Sequence, residues 1–330
     1  MGIKPTVSVI TIFLNAEGFL REAIESVLAQ NYDLWELLLV DDGSMDGSTA
    51  IAMAYAGLYP GKIRYLDHEN HANRGKSVSR NMGIRNAKGQ HIAFLDSDDV
   101  FLPQKLERQT DILEAHPDAV MVYGPSLYWY GWTGKYEDIR RDFMGKLGVQ
   151  PHRLFRPPSL LTRFLRNGGI VPCICSLLVR RSILQDCNGF DEAIQDMYED
   201  QVLLAKICMR APVFVDSGCW DRYRQHPGSS SNLAIKACEY HPLRPNPARL
   251  TYLTWVAAYA SIQSVNDKRL LKALERELRP YRYPALYRSL APAHYIADKI
   301  RWFWNRLSMS EKLRRICQSE RPLTLPREKE

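Results

Sequence analysis

Residues 91–99 read His91-Ile92-Ala93-Phe94-Leu95-Asp96-Ser97-Asp98-Asp99, an apolar run that stops at three carboxylates. An apolar run favours burial, whereas aspartate is depleted from strands and costly to bury unpaired. The chain here reads as a buried strand that emerges at the rim of a sheet. Asp96 and Asp98 are two apart, so in an extended chain they point to the same side. Two convergent carboxylates suit a hard divalent cation that also holds phosphate oxygens. Turn and helix-cap chemistry, where aspartate is common, is the competing reading. The segment by itself does not separate the two.

Outward from this stretch, strands and helices alternate over the first 124 residues. Val7–Phe13 and Leu34–Val40 are apolar runs, the second stopped by Asp41-Asp42-Gly43-Ser44. Between them Leu20, Ala23, Ile24, Val27 and Leu28 recur at helical spacing, with Asn15 as a candidate cap. A helix over 50–56, a strand over 62–66, a helix over 74–87 with Gly89 near its cap, and a helix after Pro103 continue the pattern. Such alternation predicts a mainly parallel, doubly wound sheet, which binds ligands at the carboxyl ends of its strands. Asn15, Asp41/Asp42 and Asp96/Asp98/Asp99 then share one rim, and this favours the metal reading. Residues 124–169, rich in Tyr, Trp, Gly, Pro and Arg, show no period and read as a long irregular segment. Regular elements resume at 175–179, 181–187, 198–209 and 213–215, and the chain is helical beyond Pro247.

Composition excludes several classes. Apolar content of 45% and charged content of 25% are those of a globular protein. No run approaches the length of a membrane span, and no signal-peptide pattern is present, so a cytoplasmic protein is expected. Seven cysteines, an odd number without zinc spacing, read as buried free thiols. The net charge is +7, but residues 299–330 carry nine Lys/Arg against four Asp/Glu. A local basic tail follows, not a nucleic-acid-binding surface. The dinucleotide fingerprint and the P-loop are both missing. Two calcium-loop look-alikes fail: from Asp42 the twelfth position is Met53, and from Asp96 the required glycine is Phe101.

Together the motifs resemble family 2 glycosyltransferases of the GT-A fold. The carriers are Val7-Ser8-Val9-Ile10 leading to Asn15, Ser26-Val27-Leu28-Ala29-Gln30, and Glu36 to Val40 followed by Asp41-Asp42-Gly43-Ser44-x-Asp46-Gly47-Ser48. Ser79-Arg80-Asn81-x-Gly83 and Phe94-Leu95-Asp96-Ser97-Asp98-Asp99 complete the first half. Gly189-Phe190-Asp191-Glu192 with Glu199-Asp200, and Tyr223-Arg224-Gln225-His226-Pro227-Gly228-Ser229-Ser230-Ser231, resemble later family motifs. The resemblance spans about residues 6–231.

It implies a GT-A-type, Rossmann-like, mainly parallel sheet with flanking helices and a C-terminal helical extension. Residues 1–124 would be the nucleotide-sugar-binding half, 125–240 the acceptor-side half of the same catalytic domain, and 241–330 a helical extension with a basic tail. The implied reaction is inverting, metal-dependent, non-processive transfer from a nucleoside-diphosphate sugar to an acceptor hydroxyl, in polysaccharide or cell-surface glycan synthesis. Asp200 would be the catalytic base, with Glu199 beside it. Asp96 and Asp98 would hold Mn²⁺ or Mg²⁺ on the donor diphosphate, and Asp99 would touch metal or sugar. Asp42 would contact the base, and His226 and Ser231 the metal or diphosphate. Ile12-Phe13-Leu14 replaces the family's Pro-Thr-Tyr before Asn15, and no Q-x-x-R-W motif is present.

The alternatives are a nucleotidyltransferase, which would want a basic Gly-rich loop where Asn15-Ala16-Glu17-Gly18 stands, and a non-catalytic nucleotide-binding module. Partners are the sugar nucleotide and a glycan or lipid-linked acceptor, with no nucleic acid. Ile296, Ile300, Phe303 and Leu307 share a helical face flanked by Trp302, Trp304 and basic residues. A peripheral contact of 290–330 with the inner face of a membrane competes there with packing on the catalytic domain.

Overall fold

The computed structural model describes residues 5–166, 171–194, 197–237, 239–240 and 245–285. The strands are β1 (Val7–Phe13), β2 (Trp35–Asp41), β3 (Ile63–Asp67), β4 (His91–Phe94), β5 (Val100–Phe101) and β6 (Met121–Tyr123). They continue as β7 (Leu127–Trp129), β8 (Phe143–Met144), β9 (Arg153–Phe155), β10 (Leu177–Arg180), β11 (Val213–Val215) and β12 (Asp221–Arg224). The helices are α1 (Leu20–Leu28), α2 (Ser48–Leu58), α3 (Lys76–Asn86), α4 (Lys105–Ala115), α5 (Tyr136–Ile139) and α6 (Ser159–Arg166). After them come α7 (Arg181–Asp186), α8 (Glu199–Arg210), α9 (Ser230–Lys236), α10 (Pro247–Ile262) and α11 (Lys268–Arg282). By contacts the chain divides at Leu278 into a large unit and a second that starts at Arg279.

Every residue of β1 and β2 is buried, because helices cover both faces of the sheet at its centre. The eight-stranded sheet runs β3-β2-β1-β4-β10-β6-β11-β9. β10 is antiparallel to both neighbours and β9 to β11, while the other pairs are parallel, so the sheet is mainly parallel as expected. A second sheet, β5-β12-β7-β8, stands beside it. α1 packs through Leu20, Ala23, Ile24 and Val27, the stripe read from the sequence. α3 lies so close to β1 that a Cβ on Gly83 would come within 2.4 Å of Ile10 Cγ2.

Local differences from the sequence reading have physical causes. Asn15 does not cap α1, whose N-cap is Phe19. It sits at φ 51°, and its Oδ1 accepts from Met45 N–H at 2.7 Å, closing the rim between the first two strands. Ala87, not Gly89, follows the last turn of α3, and Gly89 instead abuts Ser8. The stretch read as irregular holds β7, β8, β9, α5 and α6; strands of two or three half-buried residues are too short to show a period. The five cysteines among the described residues are unpaired. The proposed interfacial helix over 290–330 lies outside the described residues, as do Ile296 and its neighbours. Among the described residues no helix is long and apolar enough to cross a membrane.

Candidate active site

The rim of the large sheet opens into a cavity of about 430 Å³. Asp42, Asp96, Asp98, Asp99, Glu199, Asp200, His226 and Ser231, the eight residues given site roles from the sequence, all line it. They arrive from four places: the end of β2, the turn after β4, the head of α8, and the loop from β12 into α9.

The turn after β4 is held from both sides. Asp99 N–H donates to Asp96 O at 3.0 Å, so the aspartates sit on a tight turn and not on an extended chain. Asp96 Oδ1 accepts from Arg80 Nη2 at 2.8 Å, and Asp98 Oδ2 lies 2.9 Å from His226 Nε2. Asp99 faces inward and is fully buried, accepting from Arg224 N–H at 2.8 Å and from the Cys175 thiol at 3.0 Å. Burial, then the nearby Asp98 and Asp96, hold its carboxyl well above the usual carboxylate range. Its carboxyl thus packs the base of the turn while also bordering the cavity.

Asp42 is buried, and its Oδ1 accepts from Arg74 N–H at 2.8 Å, Gly75 N–H at 3.1 Å and Ser79 Oγ at 2.9 Å. It thereby anchors the head of α3, whose N-cap Gly75 has φ 86°. Oδ2 receives Gly75 N–H at 3.1 Å and, on a carboxylate with about four lone-pair sites, acceptor capacity remains for a ligand.

Glu199 and Asp200 begin α8, where acids complement the helix dipole. The preceding Tyr198 takes the left-handed φ of 73°, a strained geometry that the stacking of its ring on Tyr252 helps to hold. Glu199 Oε1 accepts from Arg80 Nη1 at 3.0 Å. Asp200 opens onto the cavity, and its carboxyl is pushed up to about 7 by burial, then by Glu199, against the opposing pull of Arg80. A carboxylate poised near neutrality is suited to accept a proton.

Two arginines outside the candidate set organise the site. Arg80 sits on α3 with 4% of its side chain exposed and bridges Asp96 to Glu199. Arg224 on β12 lies among the rings of Trp129 at 4.5 Å, Phe19 at 5.0 Å and Trp132 at 5.2 Å. It also donates to Asp98 O at 2.6 Å and pairs with Glu22 at 2.5 Å. Trp129 and Trp132 are thereby held against Arg224, while Tyr128 borders the cavity and stacks on Phe143. Both arginines stand inside quoted motifs, and position in those motifs was the one available signal of their importance.

Donor chemistry decides which residues suit a divalent cation. Asp96, Asp99 and Cys175 bring ligand atoms within 4.8 Å of one another. The Cys175 thiol, however, is held far above its ordinary value by burial and by Asp99, and hard Mg²⁺ or Mn²⁺ prefers oxygen donors to sulfur. Asp96, Asp98 and His226 are partly exposed on the cavity wall and offer oxygen and imidazole donors, but Asp98 and His226 are paired with each other and Asp96 with Arg80.

The family model for glycosyl transferase family 2 matches residues 8–187, more than half of the chain. The chain belongs to that family. An uncharacterized glycosyltransferase of Rickettsia prowazekii is 30% identical over 244 residues, covering 72% of this chain and 69% of its own. TuaG of Bacillus subtilis, assigned by name to teichuronic acid biosynthesis, is 38% identical over 125 residues, 38% of this chain and 48% of that protein. Relatives differ in length: the match covers 31% of a Rickettsia bellii glycosyltransferase, so this chain spans about a third of that protein. Among solved structures, TarS 1–349 of S. aureus in complex with UDP aligns at TM-score 0.58 and 18% identity, over 84% of this chain and 72% of that one. The mannosyltransferase PcManGT of Pyrobaculum calidifontis, in complex with GDP-Man and Mn²⁺, aligns at TM-score 0.52 and 18% identity, over 92% and 88%. These likenesses establish the GT-A fold.

Proposed function

We propose that this glycosyltransferase moves a sugar from a nucleoside-diphosphate sugar to an acceptor hydroxyl, with inversion and by single addition. One observation carries the reading: Asp96, Asp98 and His226 share a cavity with Asp200, whose carboxyl is held near neutrality. Asp96, Asp98 and His226 would hold Mn²⁺ or Mg²⁺, which when bound stabilises negative charge on the departing diphosphate. Asp200 takes the acceptor proton as general base. With Asp200 as the single base and the other cavity carboxylates given to cation, nucleobase or Arg80, direct displacement is the simplest course. Asp42 and Ser231 line the cavity where base and diphosphate contacts are assigned. The name of TuaG supports a polysaccharide or cell-surface glycan as product, and the acceptor would be a glycan or a lipid-linked chain.

The neighbours' ligands, UDP in one and GDP-Man with Mn²⁺ in another, are the first donors to try. Thermal-shift screening of sugar nucleotides with Mn²⁺ tests the donor site, and Asp200→Asn tests the base. The variant should keep donor binding and lose turnover. Absence of stabilisation by every sugar nucleotide, or full turnover in Asp200→Asn, would overturn the proposal.

A further inference from the structure

We infer that Arg80 is a positioning residue that competes with the divalent cation for Asp96 and so links the donor end of the cavity to the acid pair at the head of α8. The inference rests on the proposed cation site at Asp96, Asp98 and His226.

The geometry is specific. One guanidinium spans two carboxylates that are far apart in the chain: Nη2 to Asp96 Oδ1 at 2.8 Å and Nη1 to Glu199 Oε1 at 3.0 Å. Its side chain is buried, and its carbon lies 5.3 Å from the centre of the Phe190 ring, in the turn that precedes α8. Burial opposes the charge, but Asp96 and Glu199 outweigh it, so the guanidinium stays protonated. A fixed cation therefore already occupies one oxygen of Asp96. Ammonium or guanidinium and a divalent ion repel each other, and in a site walled by protein that repulsion is less screened than in water. Whatever holds Arg80 toward Glu199 relieves Asp96 and favours the incoming cation. Whatever leaves Arg80 with Asp96 alone opposes it. Because Glu199 is the residue before Asp200, the same guanidinium senses the donor site and fixes the segment carrying the base.

The two partners make opposite predictions, which a merely structural role does not. In Arg80→Gln, Asp96 loses its resident counter-charge, and Mn²⁺ alone, read by electron paramagnetic resonance of free Mn²⁺, should bind on the order of tenfold more tightly. In Glu199→Gln, Arg80 keeps only Asp96 as an ionic partner, and Mn²⁺ should bind several-fold more weakly. Arg80→Lys keeps a charge but not the fork, and should fall between wild type and Arg80→Gln. Turnover should fall in all three. Circular dichroism and thermal melting check the fold of each; should Arg80→Gln not fold, Glu199→Gln and Arg80→Lys decide. Equal or weaker Mn²⁺ binding in folded Arg80→Gln overturns the inference, as does unchanged binding in Glu199→Gln. Absence of Mn²⁺ binding in wild type and variants alike overturns it together with the cation site. A shift of Mn²⁺ affinity in the stated directions with no turnover on any sugar nucleotide sustains it and refutes the proposed reaction instead.

Discussion

Replacing Asp200 with asparagine should make the protein more stable at neutral pH and nearly inactive. An ordinary aspartate titrates near 3.8, whereas burial and Glu199 raise this one to about 7 in the folded state. Below pH 3.8 both folded and unfolded chains carry the proton, and the group contributes nothing. Between the two values the unfolded chain ionises and the folded one does not, so stability falls as pH rises. The loss is complete above about 7. At 1.36 kcal/mol per pKa unit, a rise of about three units corresponds to about 4 kcal/mol. Asp200 faces an open cavity and shares its titration with Glu199, so solvent and coupling reduce this to about 2 kcal/mol. Asparagine removes the ionisation but can still accept the Gln201 N–H that Asp200 Oδ1 accepts at 2.7 Å. Urea denaturation of wild type and Asp200→Asn at pH 4.5 and pH 8 measures the effect. The stabilisation should be small at the lower pH and reach about 2 kcal/mol at the higher. A variant that is destabilised at pH 8, or stabilised equally at both, would show that Asp200 is not held above its ordinary value and would remove the case for a poised base.

Three further outcomes follow from the contacts. Arg224→Met should cost about 2–4 kcal/mol in denaturant unfolding, since methionine keeps the packing against Phe19, Trp129 and Trp132 but loses the charged donor to Asp98 O; it should also weaken donor binding, and a change below about 0.5 kcal/mol would contradict the role given to Arg224. Asp99→Asn should retain most turnover while Asp98→Asn loses most of it, because the buried Asp99 carboxyl already accepts from Arg224 N–H and the Cys175 thiol whereas Asp98 faces His226; parallel steady-state assays decide, and equal losses would place Asp99 in the chemistry. Lys105 is fully buried and lowered to about 8, and Asp221, fully buried and raised to about 6, has neither carboxylate oxygen hydrogen-bonded. Lys105→Met alone should therefore destabilise by about 3 kcal/mol, by removing the charge that offsets buried Asp221, and Lys105→Met with Asp221→Asn should recover part of it, as read by chemical denaturation.

How much of this was legible in the sequence depended on whether the signal was local. β1, β2 and α1 were readable because burial on both sheet faces, or on one helical stripe, writes its own period. β11 was read with its observed bounds, Val213–Val215, from a bare apolar triplet. The small sheet was not readable: β5 and β8 have two residues each, and pairing with β12 and β7 at long sequence separation defines them. Asn15 had the right residue type for a cap, but the left-handed backbone it tolerates was used for a rim contact instead. The turn after β4 shows the same limit at the site. Residue types identified the aspartates as a group, yet their division into partly exposed Asp96 and Asp98 and fully buried Asp99 follows from partners contributed from elsewhere.

Those partners come from remote segments, and this is why the chemistry could be read as a list but not as an arrangement. Arg80 reaches Asp96 from α3, His226 meets Asp98 from the loop after β12, and Arg224 holds Asp98 O and Asp99 from β12 itself. Each of these cations or imidazoles would read as a surface group by residue type alone. Burial changes their meaning, since a buried guanidinium persists only where carboxylates or carbonyls receive its protons. The cluster of negative charge at the strand end thus requires positive groups on neighbouring elements, and the fold supplies them from two sides. A carboxylate turn clamped in this way is preorganised before any ligand arrives, and the same clamp on Asp96 resists the cation that the reaction calls for. Turnover and cation affinity should therefore respond in opposite senses to the loss of Arg80, whereas loss of Arg224, which releases the turn itself, should lower both.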